Sequence, residues 1–226
     1  MGVDRVAVIG GTGDEGFGLA LRWAKAGMEV TIGSRDAGRA DEAAARLRAT
    51  LPDAAVGGAT NEQATASHEV IVVTVPFAGQ AAIYKSIAGH LAEGAIVIDG
   101  TVPVSAAVGG RATTVLGVWQ GSAAQQAQSL LPKSVTTMGA FHTLAADAVN
   151  EVDTPLEGDV LVCGPKRGKP VVAELVEAIE SLRFVDAGSL DQARIIEPLT
   201  SLLIGINRRY KIDRAGVKIT GLPETP

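Results

Sequence analysis

Arg5-Val6-Ala7-Val8-Ile9 runs directly into Gly10-Gly11-Thr12-Gly13-Asp14-Glu15-Gly16, and then into the helical periodicity of Leu19 to Ala26. A short apolar strand, a Gly-x-Gly-x-x-Gly turn (Gly11, Gly13, Gly16) and a helix in that order form the opening of a dinucleotide-binding βαβ unit. The chemistry needs these residue types. Gly11 is expected to allow the tight turn, Gly13 to let backbone approach a pyrophosphate, and Gly16 to let the helix pack on the strand. The helix then presents free N–H groups and the positive end of its dipole to the phosphates.

The choice of dinucleotide is written at the end of the second strand. Glu29-Val30-Thr31-Ile32 leads to Gly33-Ser34-Arg35, with Arg39 one helical turn further on. An NAD site places an acid here to bind the ribose 2′-hydroxyl. Ser34, Arg35 and Arg39 instead suit a 2′-phosphate, because guanidinium and hydroxyl both donate and guanidinium can do so in parallel pairs. Asp36 is expected to serve the N-terminus of the next helix. The alternative, solvated arginines without a ligand, is the ordinary fate of surface charge. The reading is NADP.

Strand and helix patterns alternate to the end of the chain, which predicts an α/β fold: a Rossmann-type, doubly wound, mostly parallel sheet. Glu69 to Val75 is almost wholly apolar and β-branched, as a strand buried on both faces must be. Strands are also predicted at Ala95–Ile98 and Ser134–Met138, a helix from Asp36 to about Pro52, and a short strand near 54–56. The carboxyl ends of the central strands lead to Val75-Pro76-Phe77, Gly100 to Val104 and Gly139 to Thr143, which become the walls of the site because ligands bind there in open sheets. The predicted division is a dinucleotide domain over 1–150 and a small C-terminal α/β domain over 151–226. The latter holds a strand through Cys163, a basic turn (Lys166, Arg167, Lys169), a helix with Val172, Leu175, Val176, Ile179 and Leu182 on one face, and a last strand at 183–186. Ile196, Leu199, Leu203, Ile206 and Tyr210 recur at spacings of three and four, read either as a packed face or as a dimer seam. Pro198 should kink or restart that helix.

The chain has 226 residues, 46% hydrophobic and 20% charged, and a formal net charge of −5. These values fit a globular protein with a full core and argue against nucleic-acid and membrane-surface partners. No apolar run would span a bilayer, and the N-terminus enters a strand almost at once, so no targeting segment is expected. A lone cysteine, Cys163, excludes an internal disulfide and suits a reducing cytoplasm; its apolar neighbours read as core. His68, His90 and His142 are scattered and give no metal spacing. There is no Gly-x-Ser-x-Gly elbow and no Tyr-x-x-x-Lys, so a proton donor for ketone reduction is hard to nominate. That gap suggests two cofactors that carry the chemistry between them. His142, at the sheet edge, is the one possible catalytic side chain, and it equally suits a hydrogen-bonding role; no residue is expected to be essential as acid or base.

The glycine turn, Ser34-Arg35, Thr74-Val75-Pro76, Val102-Pro103-Val104-Ser105, Phe141-His142-Thr143, Asp186-Ala187-Gly188-Ser189-Leu190 and Glu197-Pro198-Leu199-Thr200, read together, resemble the coenzyme F420-dependent NADP oxidoreductases over nearly the whole chain and in matching order. The resemblance implies hydride transfer between C5 of the deazaflavin F420 and C4 of the nicotinamide. It places Thr12, Gly13, Asp14 and Glu15 along the pyrophosphate, Val75 and Val102 beside the nicotinamide, and Ala146 on the far wall. It places the deazaflavin against Val102, Pro103, His142, Leu144 and Thr200, and it implies a homodimer. Ala145 stands where that family resemblance leads one to expect proline, and the tail from Gly221 to Pro226 has no assigned role. The competing readings are another NADP-dependent reductase, of imine or ferric type, and a non-enzymatic NADP(H) sensor.

Overall fold

The computed structural model describes residues 2–222 of the chain. Six strands make one parallel sheet in the order β3-β2-β1-β4-β5-β6: β1 (Arg5–Ile9), β2 (Glu29–Ser34), β3 (Val56–Thr60), β4 (Val70–Val73), β5 (Ile96–Asp99) and β6 (Thr136–Gly139). From β1 the chain winds outward to β3 on one side and then outward through β4 to β6 on the other. The reversal between β1 and β4 opens a crevice at their carboxyl ends, the usual ligand position in such sheets. The helices α1 (Asp14–Lys25), α2 (Ala37–Thr50), α3 (Asn61–Ala66), α4 (Phe77–Ile87), α5 (Ala123–Leu130) and α6 (Ala146–Asn150) connect or flank the strands. Here Val6, Val8, Ile71, Val72, Val97 and Ile98 are sealed from water on both faces of the sheet, each contributing about 1.5–3 kcal/mol by burial.

A second, two-stranded parallel sheet pairs β7 (Gly158–Val162) with β8 (Leu182–Asp186) across α7 (Lys169–Glu177). The expected one-sided stripe is real: Val172, Leu175, Val176, Ile179 and Leu182 are all buried. They join the same apolar cluster as Val6, Val8 and Trp23, so the two sheets share a core. An antiparallel bridge between Gly139 and Cys163 splices them. A Cβ on Gly139 would lie 2.8 Å from the Cys163 sulfur, so this glycine serves that splice and not the ligand edge. Burial pushes the Cys163 thiol up to about 12, leaving it an inert core group.

Several expectations shift in detail. β3 starts at Val56, two residues past the Ala54 anticipated for it. Lys169 is not a surface charge. It is buried and donates to the carbonyls of Val162 and Gly188 and to the Asp186 carboxylate, tying β7, β8 and α7 together. Pro198 restarts the final helix, with α8 (Ala193–Ile196) before it and α9 (Leu199–Tyr210) after it. Of the stripe, Ile196 and Leu203 are buried while Tyr210 stands out at 69% exposure, so one end packs and the other stays open. The chain then returns along β7. Asp159 accepts from Arg183 through both carboxylate oxygens and from the Ile219 backbone N–H, which fastens the C-terminal segment. The final residues, 223–226, lie outside the described part.

Candidate functional site: a dinucleotide groove ending in a carboxyl-floored cleft

The turn after β1 works as the motif requires, with one reassignment. The left-handed residue is Gly10 (φ +86°), whose Cβ would lie 2.7 Å from the Thr74 carbonyl oxygen; Gly11 keeps an ordinary φ and is needed only because Ile32 and the Val8 carbonyl lie 3.0 Å away. At Gly16 a Cβ would come within 2.4 Å of Thr74 Oγ1, which fits its expected packing role. Gly13 is the N-cap of α1, and no side chain caps the helix there. The helix end is therefore left open toward the groove, where its unpaired N–H groups can meet an anion.

The larger cleft, about 490 Å³, is lined by Gly10, Thr12, Gly13, Ser34, Arg35, Arg39, Asn61 and the β4–α4 turn at Thr74-Val75-Pro76. The structure brings Ser34, Arg35 and Arg39 to one rim of it. Both arginines are exposed, and neither enters an ion pair among the described residues. Asp36 lines the same rim and also performs its expected task, its Oδ1 accepting from the Arg39 N–H at 2.9 Å as the N-cap of α2. Asn61 was missed in the sequence. It begins α3 behind a Thr60–Gln63 capping box, and its buried Oδ1 has no partner.

A second cleft of about 300 Å³ continues from the first through their shared residues Gly13, Thr74, Val75 and Pro76. Its walls are Gly100, Thr101, Val102 and Val104 after β5, His142 and Leu144 after β6, Thr200 and Ile204 of α9, and Asp14 and Glu15. Of the residues expected here, Val75, Val102, Leu144, His142 and Thr200 do converge. Pro103 and Ala146 line neither cleft. Pro103 is buried behind the wall, its carbonyl accepting from the Leu116 N–H. Ala146 opens α6 and accepts from the Asn150 side chain. Phe77, at the start of α4, lines neither cleft either. Asp14 and Glu15 line this second cleft and not the larger one.

His142 is held rather than free. Phe141 before it takes φ +69°, a conformation that costs a non-glycine residue and persists only when packing enforces it. The Phe141 ring lies edge-on to Trp23 at 5.6 Å, and Trp23 in turn donates to the Leu175 carbonyl. Thr200 Oγ1 donates to the His142 carbonyl at 2.6 Å. The imidazole is 3% exposed, neither ring nitrogen has a partner, and burial lowers its pKa to about 4. At pH 7 it is neutral. Ala145 takes φ −79°, within the range of proline, so the loop has the shape a proline would give it.

Beneath the cleft lies a buried carboxyl system. Asp99, at the end of β5, accepts from Gln80 Nε2 (2.7 Å), Tyr84 Oη (2.5 Å) and the Thr101 N–H (2.8 Å), yet burial raises its pKa to about 6. Burial, with the Asp99 charge as a smaller cause, pushes Glu15 up to about 8. Glu197 accepts from the N–H groups of Ala123 and Ala124 and so caps α5; burial raises it to about 8 against the pull of those donors. An acid closing the apolar run of β5 was the one sequence signal for this system.

A parallel sheet of order 3-2-1-4-5-6, an uncapped helix at its switch point and an arginine-lined rim define a Rossmann-type nicotinamide-dinucleotide oxidoreductase fold. Comparison with known proteins narrows that class. Residues 5–103 match the family described as NADP oxidoreductase, coenzyme F420-dependent. The chain is 45% identical to the F420-dependent NADP reductase of Methanothermobacter thermautotrophicus, over 98% of this chain and 97% of that one. It is 36% identical to the enzyme of the same name from Methanocaldococcus jannaschii, over 96% and 99%. A crystal structure of a candidate F420-dependent NADP reductase from Arthrobacter sp. FB24 superimposes with a TM-score of 0.80 at 25% identity, covering 97% of this chain and all of that one. Pyrroline carboxylate reductase from Plasmodium falciparum, at 12% identity and a TM-score of 0.60, shares the fold alone. The chain belongs to the family of F420-dependent NADP reductases.

Proposed function

We propose that the chain transfers hydride between reduced coenzyme F420 and NADP, with NADP lying along the groove from Arg35 to Val75 and the two rings meeting in the cleft between Val75, Val102 and His142. One observation supports the placement: the two clefts share Gly13 and the Thr74-Val75-Pro76 turn, so one channel runs from an arginine-lined rim to a largely apolar chamber. When bound, the deazaflavin and the nicotinamide supply the hydride donor and acceptor themselves. The protein's share is to anchor and to exclude water. Ser34, Arg35 and Arg39 fix the 2′-phosphate, and the open end of α1 at Gly13 meets the pyrophosphate. Val75, Val102, Leu144 and Ile204 keep the ring end dry, which shields the hydride path. The partnerless His142 nitrogens offer a polar contact to a ring edge. In the same reading residues 1–150 hold the dinucleotide, and residues 151–226 brace that end of the groove. Ile195, Leu202 and Tyr210, all exposed on α8 and α9, are the face of a homodimer. The reducing cytoplasm suits the buried free Cys163.

The test is stopped-flow mixing of the enzyme and NADPH with F420 or with FMN, following nicotinamide absorbance. The expected result is rapid oxidation with F420 and little with FMN, whose ring has a similar outline. The reverse pattern overturns the assignment and leaves a reductase of another substrate; binding without turnover leaves a sensor.

A neutral imidazole is a poor acid at pH 7. His142→Ala is therefore expected to slow single-turnover hydride transfer by well under the roughly 10²–10⁴-fold that acid–base catalysis supplies. A larger loss with both cofactors still bound would give His142 a chemical role.

A further inference from the structure

The cleft that receives the rings has an unusual floor. Glu15 reaches it from α1, its Oε1 sealed from water and without a hydrogen-bond partner. Asp99 lies fully buried behind the wall, its donors Gln80, Tyr84 and Thr101 all neutral. From β6 the cleft meets His142, buried, neutral and with both nitrogens unpartnered. From α1 it meets Asp14, exposed at the mouth. Glu197 is deeper, occupied with the N-terminus of α5. Among the described residues no lysine or arginine lines this cleft; Arg35 and Arg39 line the larger one. The chamber thus holds the Asp14 and Glu15 carboxyl groups with no cation among its lining residues to offset them, beside an imidazole whose two shielded nitrogens have no partner.

We propose that Glu15, backed by the buried Asp99, is a charge-sensing positioning residue for the nicotinamide: it releases a proton to solvent when the oxidised, positively charged ring binds beside it, and keeps that proton when the reduced, neutral ring binds. The inference rests on placing the nicotinamide at Val75 and Val102. The physics is direct. Burial and the nearby Asp99 charge disfavour the Glu15 carboxylate, so without an opposite charge beside it the side chain holds its proton at pH 7. A pyridinium within a few ångströms supplies the missing opposite charge and restores the ionised form, whereas a dihydropyridine does not. Protons released on binding tie affinity to pH. NADP⁺ therefore binds more tightly as pH rises toward about 8, where Glu15 ionises without help, and the gain levels off above it. The ratio of NADP⁺ to NADPH affinity rises by at most about tenfold per pH unit, the limit for one proton.

The experiment is isothermal titration calorimetry at pH 7 in buffers of different ionisation enthalpy, which counts protons exchanged on binding NADP⁺, NADPH and the nicotinamide-free fragment 2′-phospho-ADP-ribose. The 2′-phosphate contributes equally to all three, so differences report the ring. The wild type should release a substantial fraction of a proton more with NADP⁺ than with NADPH, and NADPH should match the fragment. Glu15→Gln should erase the difference. Equal counts for the two redox forms in the wild type, or a difference that survives in Glu15→Gln, overturns the proposal. Val102→Trp tests ring placement separately: it should weaken NADP⁺ and NADPH at least tenfold and leave the fragment unchanged. If all three ligands bind as before, the placement itself fails. If that pattern holds while the proton counts are equal, only the charge coupling fails.

Discussion

Replacing Arg22 with methionine is expected to destabilise the protein by about 3–4 kcal/mol. Arg22 lies in the middle of α1, 5% exposed, and its guanidinium donates to the carbonyls of Ala148, Val149, Glu151 and Thr154 at 2.8–2.9 Å. Those oxygens end α6 and form the connection into the second sheet. Removing the guanidinium strands the buried carbonyls of Ala148 and Val149 and the partly buried ones of Glu151 and Thr154, and each fully buried loss costs about 1–3 kcal/mol. Methionine keeps the aliphatic stem, so the loss reports the hydrogen bonds and not a cavity. Urea unfolding should show a lower midpoint with an unchanged slope. Arg22→Lys should recover only part, because an ammonium cannot span four acceptors in a plane. A loss below about 1 kcal/mol for Arg22→Met would show that this junction is marginal to stability.

Arg35→Ala is expected to weaken NADP(H) by about tenfold or more and to leave NAD(H) unchanged, since a charge-assisted bond to the 2′-phosphate vanishes while nothing that NAD touches is altered. The site makes the prediction clean. Arg35 is exposed, holds no partner that would be orphaned, and stands beside Ser34 and Arg39 on the same rim. Because the charge is exposed, the discrimination should shrink as salt is raised. Fluorescence titration with NADPH and NADH at two ionic strengths measures both effects. Equal losses for the two cofactors would remove Arg35 from 2′-phosphate recognition.

The residues legible beforehand share a physical trait: their role is fixed by neighbours in the chain. The Gly11-x-Gly13-x-x-Gly16 turn, the Asp36 cap and the Ser34-Arg35 pair belong to one βαβ unit, so spacing alone locates them. The buried strands were equally plain, because Val70 to Val73 can satisfy its backbone and hide its side chains only in the interior of a sheet. Even there the turn was misread by one residue. Gly10 carries the positive φ and Gly11 does not, since adjacent glycines offer the same freedom and only the approach of Thr74 decides which one needs it.

Local periodicity and short motifs therefore carry the parallel α/β architecture, the dinucleotide groove and the family. Tertiary structure alone decided the groups whose character comes from distant partners. Arg22 and Lys169 look like surface cations and are buried because carbonyls from remote loops converge on them. Glu197 looks like a helix acid and caps α5 instead. Pro103 and Ala146 stand in the expected segments but line neither cleft. Glu15 reads as a first-turn acid, favourable by the helix dipole, yet the fold leaves it half-buried with Oε1 shielded and unpartnered near Asp99, which raises its proton affinity. Burial and electrostatic environment are properties of three-dimensional proximity, and a linear chain does not carry them until β1, β5 and β6 have brought their ends together.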